Sequence, residues 1–380
     1  MKNINFTEPY ITRSEIRHIA NIFNKSEFTS EGIYSMKCAS YIQKQLKAKS
    51  VLLTNSCTSA IEIALISLNL KPTDEVIIPS YTFVSVADTV SKMKIKIVFC
   101  DIDKNFMIDV SDLNRKINKN TKVIIVSHNN GNSINFDEIK KIIKKKNIKI
   151  IEDAAQAFGA KYKKKYLGTI GDFGCFSFHQ TKNIHCGIGG ALLVNNNNYQ
   201  KISKIIWNRG TNRSDFMKGN VKKYVWVNQG NASHLSELQS AFLYPQLLSY
   251  KKVIQFRKKI YDKYFKLLNS LKSKIDLPNI NSFNTSNYHL FYFVMHNSIS
   301  RFKFINFMKK KKIKVTSHYE ALHLSPMAKN KLKFKSKLPN SESLSKRIIR
   351  LPMHTNLKNI EIHYICKNIK KFFNNEKYKK

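Results

Sequence analysis

Acidic residues are scarce in this chain: 25 Asp+Glu stand against 66 Lys+Arg, leaving a formal net charge of +41. Taken alone, that imbalance suggests a polyanion as partner. Glycine and proline are also sparse, at 12 and 8 of 380 residues, while 42% of the chain is hydrophobic and 11% aromatic. Such a composition excludes a disordered basic tail and a low-complexity array. Cysteines at CxxC spacing are missing, because Cys38, Cys57, Cys100, Cys175, Cys186 and Cys366 are scattered. This argues against a disulfide framework and against a structural zinc site, and it fits a reducing compartment. Long apolar runs are missing as well. Val123-Ile124-Ile125-Val126 falls far short of the roughly 18 residues of a membrane span, and Met1 to Pro9 lack the apolar stretch of a signal peptide. The expectation is a soluble, cytoplasmic protein with no membrane insertion and no metal.

Lysine supplies almost all the charge and recurs in short runs such as Lys144-Lys145-Lys146 and Lys163-Lys164-Lys165, usually beside Ile or Asn. Each run reads as a solvated face of a chain biased towards Lys, Asn and Ile. No zinc-finger, RRM or basic-zipper pattern accompanies the charge, so nucleic acid is not expected as a partner.

At roughly 100–200 residues per domain, the length allows two or three domains. From about residue 50 to 195, short apolar segments alternate with helix-length amphipathic stretches, the pattern of a mainly parallel sheet flanked by helices. The strand candidates are 51–54, 75–78, 96–100, 122–126, 149–151, 175–178 and 191–194, with helices predicted over 59–68 and 136–145. A long helical pattern runs over 235–268. The expected architecture is α/β: a large domain over 1–250 with a mixed, mainly parallel sheet, and a smaller C-terminal α/β domain over 251–380. Strand candidates in the latter are 290–295 and 312–316. The first 30 or so residues are expected to pack on the small domain, and 374–380 to fray. In such a sheet ligands collect beyond the carboxyl ends of the strands.

Three features stand at those ends. The first strand runs into Thr54-Asn55-Ser56-Cys57-Thr58-Ser59-Ala60, where hydroxyls and free N–H groups at a helix N-terminus suit a phosphate; ordinary N-capping is the alternative. Ile150-Ile151-Glu152-Asp153-Ala154-Ala155-Gln156 puts a carboxylate after an apolar strand, where it serves a ligand or caps the next helix. Phe176-Ser177-Phe178-His179-Gln180-Thr181-Lys182-Asn183 sets one lysine among hydroxyls and a histidine, ahead of the turn Gly187-Ile188-Gly189-Gly190. Together these match the requirements of pyridoxal phosphate (PLP): a lysine to form the Schiff base, a carboxylate to keep the pyridine nitrogen protonated, and a phosphate cradle. Phe83, in Pro79-Ser80-Tyr81-Thr82-Phe83-Val84, is a candidate to cover the ring; a core aromatic is its plain alternative.

These segments, with Ser30-Glu31-Gly32, Ser236-Glu237-Leu238-Gln239 and Leu351-Pro352, resemble the DegT/DnrJ/EryC1/StrS sugar aminotransferases, and the resemblance spans nearly the whole chain. It implies the PLP-dependent aminotransferase fold type I and a homodimer with shared sites. It also implies Lys182 as the Schiff-base lysine, Asp153 as the pyridinium partner and Gln156 beside the ring hydroxyl. Phe83 takes the stacking position, and Thr58, Ser59 and Ser177 the phosphate cradle. Gly210-Thr211-Asn212-Arg213-Ser214 and His318-Tyr319 are similar to the subgroup that aminates dTDP-4-keto-6-deoxyglucose, with glutamate as donor. Asn212, Arg213, His318 and Tyr319 are therefore expected on the nucleotide-sugar side; a loop salt bridge is the alternative for Arg213.

The chain departs from the family pattern at Ile188, where an acidic residue is usual, at Asn129, where an aromatic usually follows the histidine, and at Ala232, where many members carry asparagine. Open alternatives are a different keto-sugar nucleotide (a 4-amino gluco epimer or a 3-amino sugar) and a non-catalytic PLP sensor or decayed paralogue. The deoxygenating branch of the family replaces the lysine with histidine, and Lys182 argues against it.

Overall fold

The structure is a computed structural model that describes residues 3–24, 28–296 and 300–375. In chain order its strands are β1 (Val51–Thr54), β2 (Glu75–Pro79), β3 (Lys96–Cys100), β4 (Thr121–Ser127) and β5 (Lys149–Asp153). They continue as β6 (Lys161–Tyr162), β7 (Lys165–Tyr166), β8 (Phe173–Ser177) and β9 (Gly190–Val194), then β10 (Ile275–Asp276), β11 (Asn284–Thr285), β12 (Tyr292–Met295) and β13 (Ile348–Arg350). A seven-stranded sheet of order β1-β9-β8-β5-β4-β2-β3 forms the centre. Its strands from β8 through β3 run parallel, and β9 is antiparallel to both β1 and β8.

Alternation along the strands divides the core into two layers. Leu53, Ile77, Ile124 and Val126 join one cluster, while Leu52, Val76, Ile78, Val123 and Ile125 join the other. Successive residues of a strand face opposite sides of its sheet, and strands covered on both faces need continuous apolar sequence, as these have.

The helix Glu237–Leu268 links this body to a second core. Ser236 and Gln239 close a capping box at its start. Leu243, Leu247 and Tyr250 pack in the large core, whereas Ile260, Tyr264 and Leu268 pack in the other, beneath the small sheet β10-β12-β13. Position 250, expected at a boundary, thus lies inside one continuous helix. The N-terminal segment touches both bodies. Ile4 joins the second core and bridges Ile313, while Glu15 Oε1 accepts from Gln246 Nε2 at 2.6 Å on the first half of the long helix. Residues 312–316 do not form the expected strand: Ile313 and Thr316 make only isolated bridges, to Ile4 and Arg350. Of the terminal residues expected to fray, 376–380 lie outside the described residues. No described helix is long and apolar enough to cross a membrane.

Candidate active site

Because β2 lies between β3 and β4, strand order reverses there, and the carboxyl ends diverge to leave a crevice. A cavity of about 470 Å³ opens at this point, lined by the residues that follow or end successive strands: Thr82 and Phe83, Ser127, Asp153 and Ser177. The hydroxyls of Thr82 and Ser127 meet at 2.8 Å across the reversal.

Strand alternation separates two neighbouring carboxylates. Glu152 is fully buried away from the cavity, accepting from His128 Nε2 at 2.9 Å and from the N–H groups of Gly168, Ile170 and Gly171 at 2.6–2.7 Å. Asp153 faces the cavity. Its Oδ1 accepts from the Ala155 N–H at 3.1 Å, and Ser127 Oγ stands 3.5 Å from Oδ2. Burial pushes its carboxyl above the usual range, against the opposing influence of the Ala155 N–H, Lys182, His128 and Ser127. Among the described residues no cation lies within 4.0 Å of it. A buried carboxylate in that condition is complementary to a cationic ligand.

Lys182 sits on the turn after β8, with its N–H bonded to the His179 carbonyl at 2.8 Å, and lines the same cavity. Two histidines near it are held towards their neutral form: His179 by burial and then by the lysine's charge, His289 by burial and then by Lys182, Arg257 and Arg350.

The helix Cys57–Ser67 points its N-terminus at the cavity. Ser56 caps it, its Oγ accepting from the Ser59 N–H at 3.1 Å, and Ser56, Cys57 and Thr58 line the wall. Gly190 permits the close approach of β9 to this turn, since a Cβ there would lie 2.4 Å from the Ser56 carbonyl carbon. The Phe83 and Tyr319 rings, which also line the cavity, stand 5.8 Å apart. Gln156 donates from Nε2 to Tyr319 Oη at 3.2 Å, and its Oε1 accepts from the Asn130 N–H at 2.8 Å.

The sequence matches the family of DegT/DnrJ/EryC1/StrS aminotransferases over residues 9–370. The chain belongs to that family. A GDP-perosamine synthase from Escherichia coli O157:H7 is 28% identical, over 99% of this chain and 100% of that one. A UDP-2-acetamido-2-deoxy-3-oxo-D-glucuronate aminotransferase from Pseudomonas aeruginosa is 32% identical, over 81% of this chain and 82% of that one. Among solved structures, Spr1654 from Streptococcus pneumoniae in its PLP form matches with a TM-score of 0.89 at 26% identity, covering 97% of this chain and 98% of that one. The architecture is that of the PLP-dependent sugar aminotransferases, α/β with a mixed, mostly parallel central sheet.

Of the DegT-family positions expected from the sequence, Thr58, Phe83, Asp153, Gln156, Ser177, Lys182, His318 and Tyr319 meet around this one cavity. Three others do not. Ser59 lies behind the cradle, its Oγ donating to Asn55 Oδ1 at 2.7 Å. Asn212 is spent on the backbone of its own loop, donating to the Lys223 carbonyl at 2.9 Å and accepting from the Val225 N–H at 2.8 Å. Arg213 forms an ion pair with Glu31, the alternative foreseen for it. Of the departures, Asn129 is tied to the carbonyls of Tyr81 and Phe106 at 3.3 and 3.1 Å, Ile188 stands exposed at the cavity rim, and Ala232 lies off the wall.

Ser127, His289, Arg257 and Arg350 also line the cavity and were not among the positions expected from the sequence. Ser127 ends β4, so the strand-end rule could have found it. The other three lie on segments brought to the site by the second core, with no motif of their own.

Proposed function

We propose that this DegT-family protein transfers the amino group of glutamate to the 4-keto carbon of dTDP-4-keto-6-deoxyglucose. The product is dTDP-4-amino-4,6-dideoxygalactose, for cell-surface polysaccharide. The observation that carries the reading is the buried, cation-seeking Asp153 sharing a cavity with Lys182 at the strand-order reversal.

The residues present fit PLP. Asp153 would hold the pyridinium N–H, which supplies the charge that this carboxylate lacks within the protein. Thr58, Ser177, the Ser56 hydroxyl and the first-turn N–H groups would hold the phosphate. Phe83 would cover the ring, and Gln156 would stand beside its hydroxyl. When bound, PLP supplies an electron sink for negative charge developing next to the transferred nitrogen.

The chain's own groups perform the rest. Lys182 Nζ, on the only lysine lining the cavity among the described residues, would accept the proton of the donor's α-carbon. Asp153, anchored by the Ala155 N–H, keeps the carboxylate oriented. In the second stage Lys182 acts in the reverse sense on the keto sugar.

The dTDP sugar and the galacto configuration rest on the likeness of segments 210–214 and 318–319 to one subgroup. Relatives named for GDP and UDP sugars favour a second reading, another keto-sugar nucleotide. Incubation with dTDP-4-keto-6-deoxyglucose and glutamate, followed by NMR of the product, tests both. An axial amine at C4 is expected; an equatorial amine, or turnover only with a GDP- or UDP-linked keto sugar, contradicts the assignment.

A further inference from the structure

Ser80, His323 and Glu342 form a chain of side chains that the amino-transfer steps above do not use. The Ser80 hydroxyl lies 2.6 Å from His323 Nδ1, and His323 Nε2 lies 3.3 Å from Glu342 Oε1. A serine, an imidazole and a carboxylate in that order are the parts of a nucleophile triad. Here they reach no substrate: Ser80 is fully buried, His323 is 2% exposed, and none of the three lines the cavity. The chain is a joint between elements instead. Ser80 follows β2, whereas Glu342 lies on the helix Pro339–Arg347. The first turn of that helix is moored to Asp101, beyond β3, by the N–H groups of Asn340 and Ser341 at 3.0 and 2.7 Å.

Chemistry fixes the protons of this joint. The Glu342 carboxylate can only accept, so Nε2 donates to it, and Nδ1 of the neutral ring accepts from the Ser80 hydroxyl. Ser80 Oγ in turn accepts from the His323 N–H at 3.3 Å. The neighbouring bonds sew one wall of the cavity to the end of β2. The Leu322 N–H donates to the Ser80 carbonyl at 2.8 Å, and Tyr81 Oη donates to the His318 carbonyl at 2.5 Å. Tyr81 Oη also accepts from the Tyr319 N–H at 3.0 Å and from Nη2 of Arg350 at 3.2 Å, whose guanidinium lies 4.8 Å from the Tyr319 ring centre. His318 and Tyr319 both line the cavity. Burial holds the Tyr81 hydroxyl above its ordinary value of 10.0, so among the side chains making these bonds the imidazole alone changes charge near neutral pH.

We infer that His323 is a positioning residue for the sugar-nucleotide half-reaction: joined to Ser80 and Glu342, it sets where the His318–Tyr319 wall stands. The inference rests on the aminotransferase reading above and adds to it the group that couples this wall to pH. A proton on Nδ1 would point at the Ser80 hydroxyl and force it to give up its own bond, so protonation breaks the joint. Burial holds the imidazole below its ordinary value of 6.5; Glu342 and Asp101 favour the charged ring, and Lys116 opposes it. The joint is therefore closed at neutral pH and opens in acid. Asp153 ends β5 and Lys182 follows β8, both outside these bonds. A small displacement of a wall is enough to weaken productive binding of the substrate that touches it.

Both half-reactions of the holoenzyme are followed against pH, with L-glutamate and with dTDP-4-keto-6-deoxyglucose. In the wild type the half-saturating concentration of the keto-sugar nucleotide should be level at neutral pH and rise below an inflection in acid. In His323→Phe it should be raised about 10-fold at every pH, without the inflection, while that of glutamate changes by less than about threefold. Glu342→Gln keeps an oxygen for His323 Nε2 and for the Leu338 N–H, 3.1 Å away, and removes only the charge. Its inflection should move to lower pH, because the charged ring loses the carboxylate that favours it. As a readout independent of turnover, the ring nitrogen resonances of His323 in labelled protein should show Nε2 protonated and Nδ1 bare at neutral pH, and should titrate at lower pH in Glu342→Gln. If His323→Phe misfolds, as judged by circular dichroism, Glu342→Gln and the resonances carry the test. An inflection that stays in place in Glu342→Gln, or equal weakening of both half-reactions in His323→Phe, overturns the inference. Wild-type holoenzyme inert to glutamate instead contradicts the aminotransferase reading itself.

Discussion

Asp153 and Glu152 are neighbours in sequence with opposite tasks, and the pleat decides which is which. Glu152 is satisfied by four donors; Asp153 is left to a ligand. That has a cost in the cofactor-free protein. A carboxyl whose native pKa is raised binds its proton more tightly folded than unfolded, so its contribution to stability falls as pH rises from the ordinary carboxylate range through the raised value. Asp153→Asn should therefore raise the stability of the cofactor-free protein at neutral pH, by roughly 0.5–2 kcal/mol in a denaturant titration. It should also remove that component of the pH dependence. The same variant should lower amino-transfer activity by at least about 100-fold, because the pyridinium loses its charged partner. Asp153 and Lys182 were legible in the sequence because a strand end and a set-apart lysine are local signals. Arg350 was not: nothing in Ile348-Ile349-Arg350-Leu351 shows that its neighbours Tyr81 and Tyr319 come from remote segments.

The cradle depends on two elements, the helix Cys57–Ser67 and the antiparallel strand β9, whose Gly190 passes against the helix's first turn. Gly190→Ala should force that turn outward, destabilising the protein by about 1–3 kcal/mol. Cofactor affinity, followed by the absorbance of the bound form, should fall by more than the stability loss alone explains. At this scale the central sheet was largely readable: 51–54 and 96–100 agree with β1 and β3 to the residue, since a strand covered on both faces is an apolar run with polar ends. Residues 312–316 misled because Ile313 and Val315 are buried and alternate with lysines as a strand would, yet each partner offers only one bridge. A domain boundary at 250 was expected from a change of texture, but one helix serves both cores and so carries no break in its sequence.

For the whole molecule, the net charge of +41 is a poor guide to the site, because the cavity depends on a few groups at strand ends. The loop around Asn212 and Arg213 leaves apolar side chains exposed, Met217 at 70% and Trp226 at 79%. A homodimer expected of the family would cover such surface. Sedimentation equilibrium should give a dimer for the wild type and a shift towards monomer for Trp226→Asp; a wild-type monomer with full activity would contradict shared sites. Whether the Asp153–Lys182 cavity holds PLP and performs amino transfer can be read from the absorption spectrum of the purified holoenzyme before and after adding L-glutamate. The holoenzyme should show a lysine-bound cofactor band, absent in Lys182→Ala, that glutamate converts to the amine form. A band that no amino acid alters, or one that persists unchanged in Lys182→Ala, would contradict it.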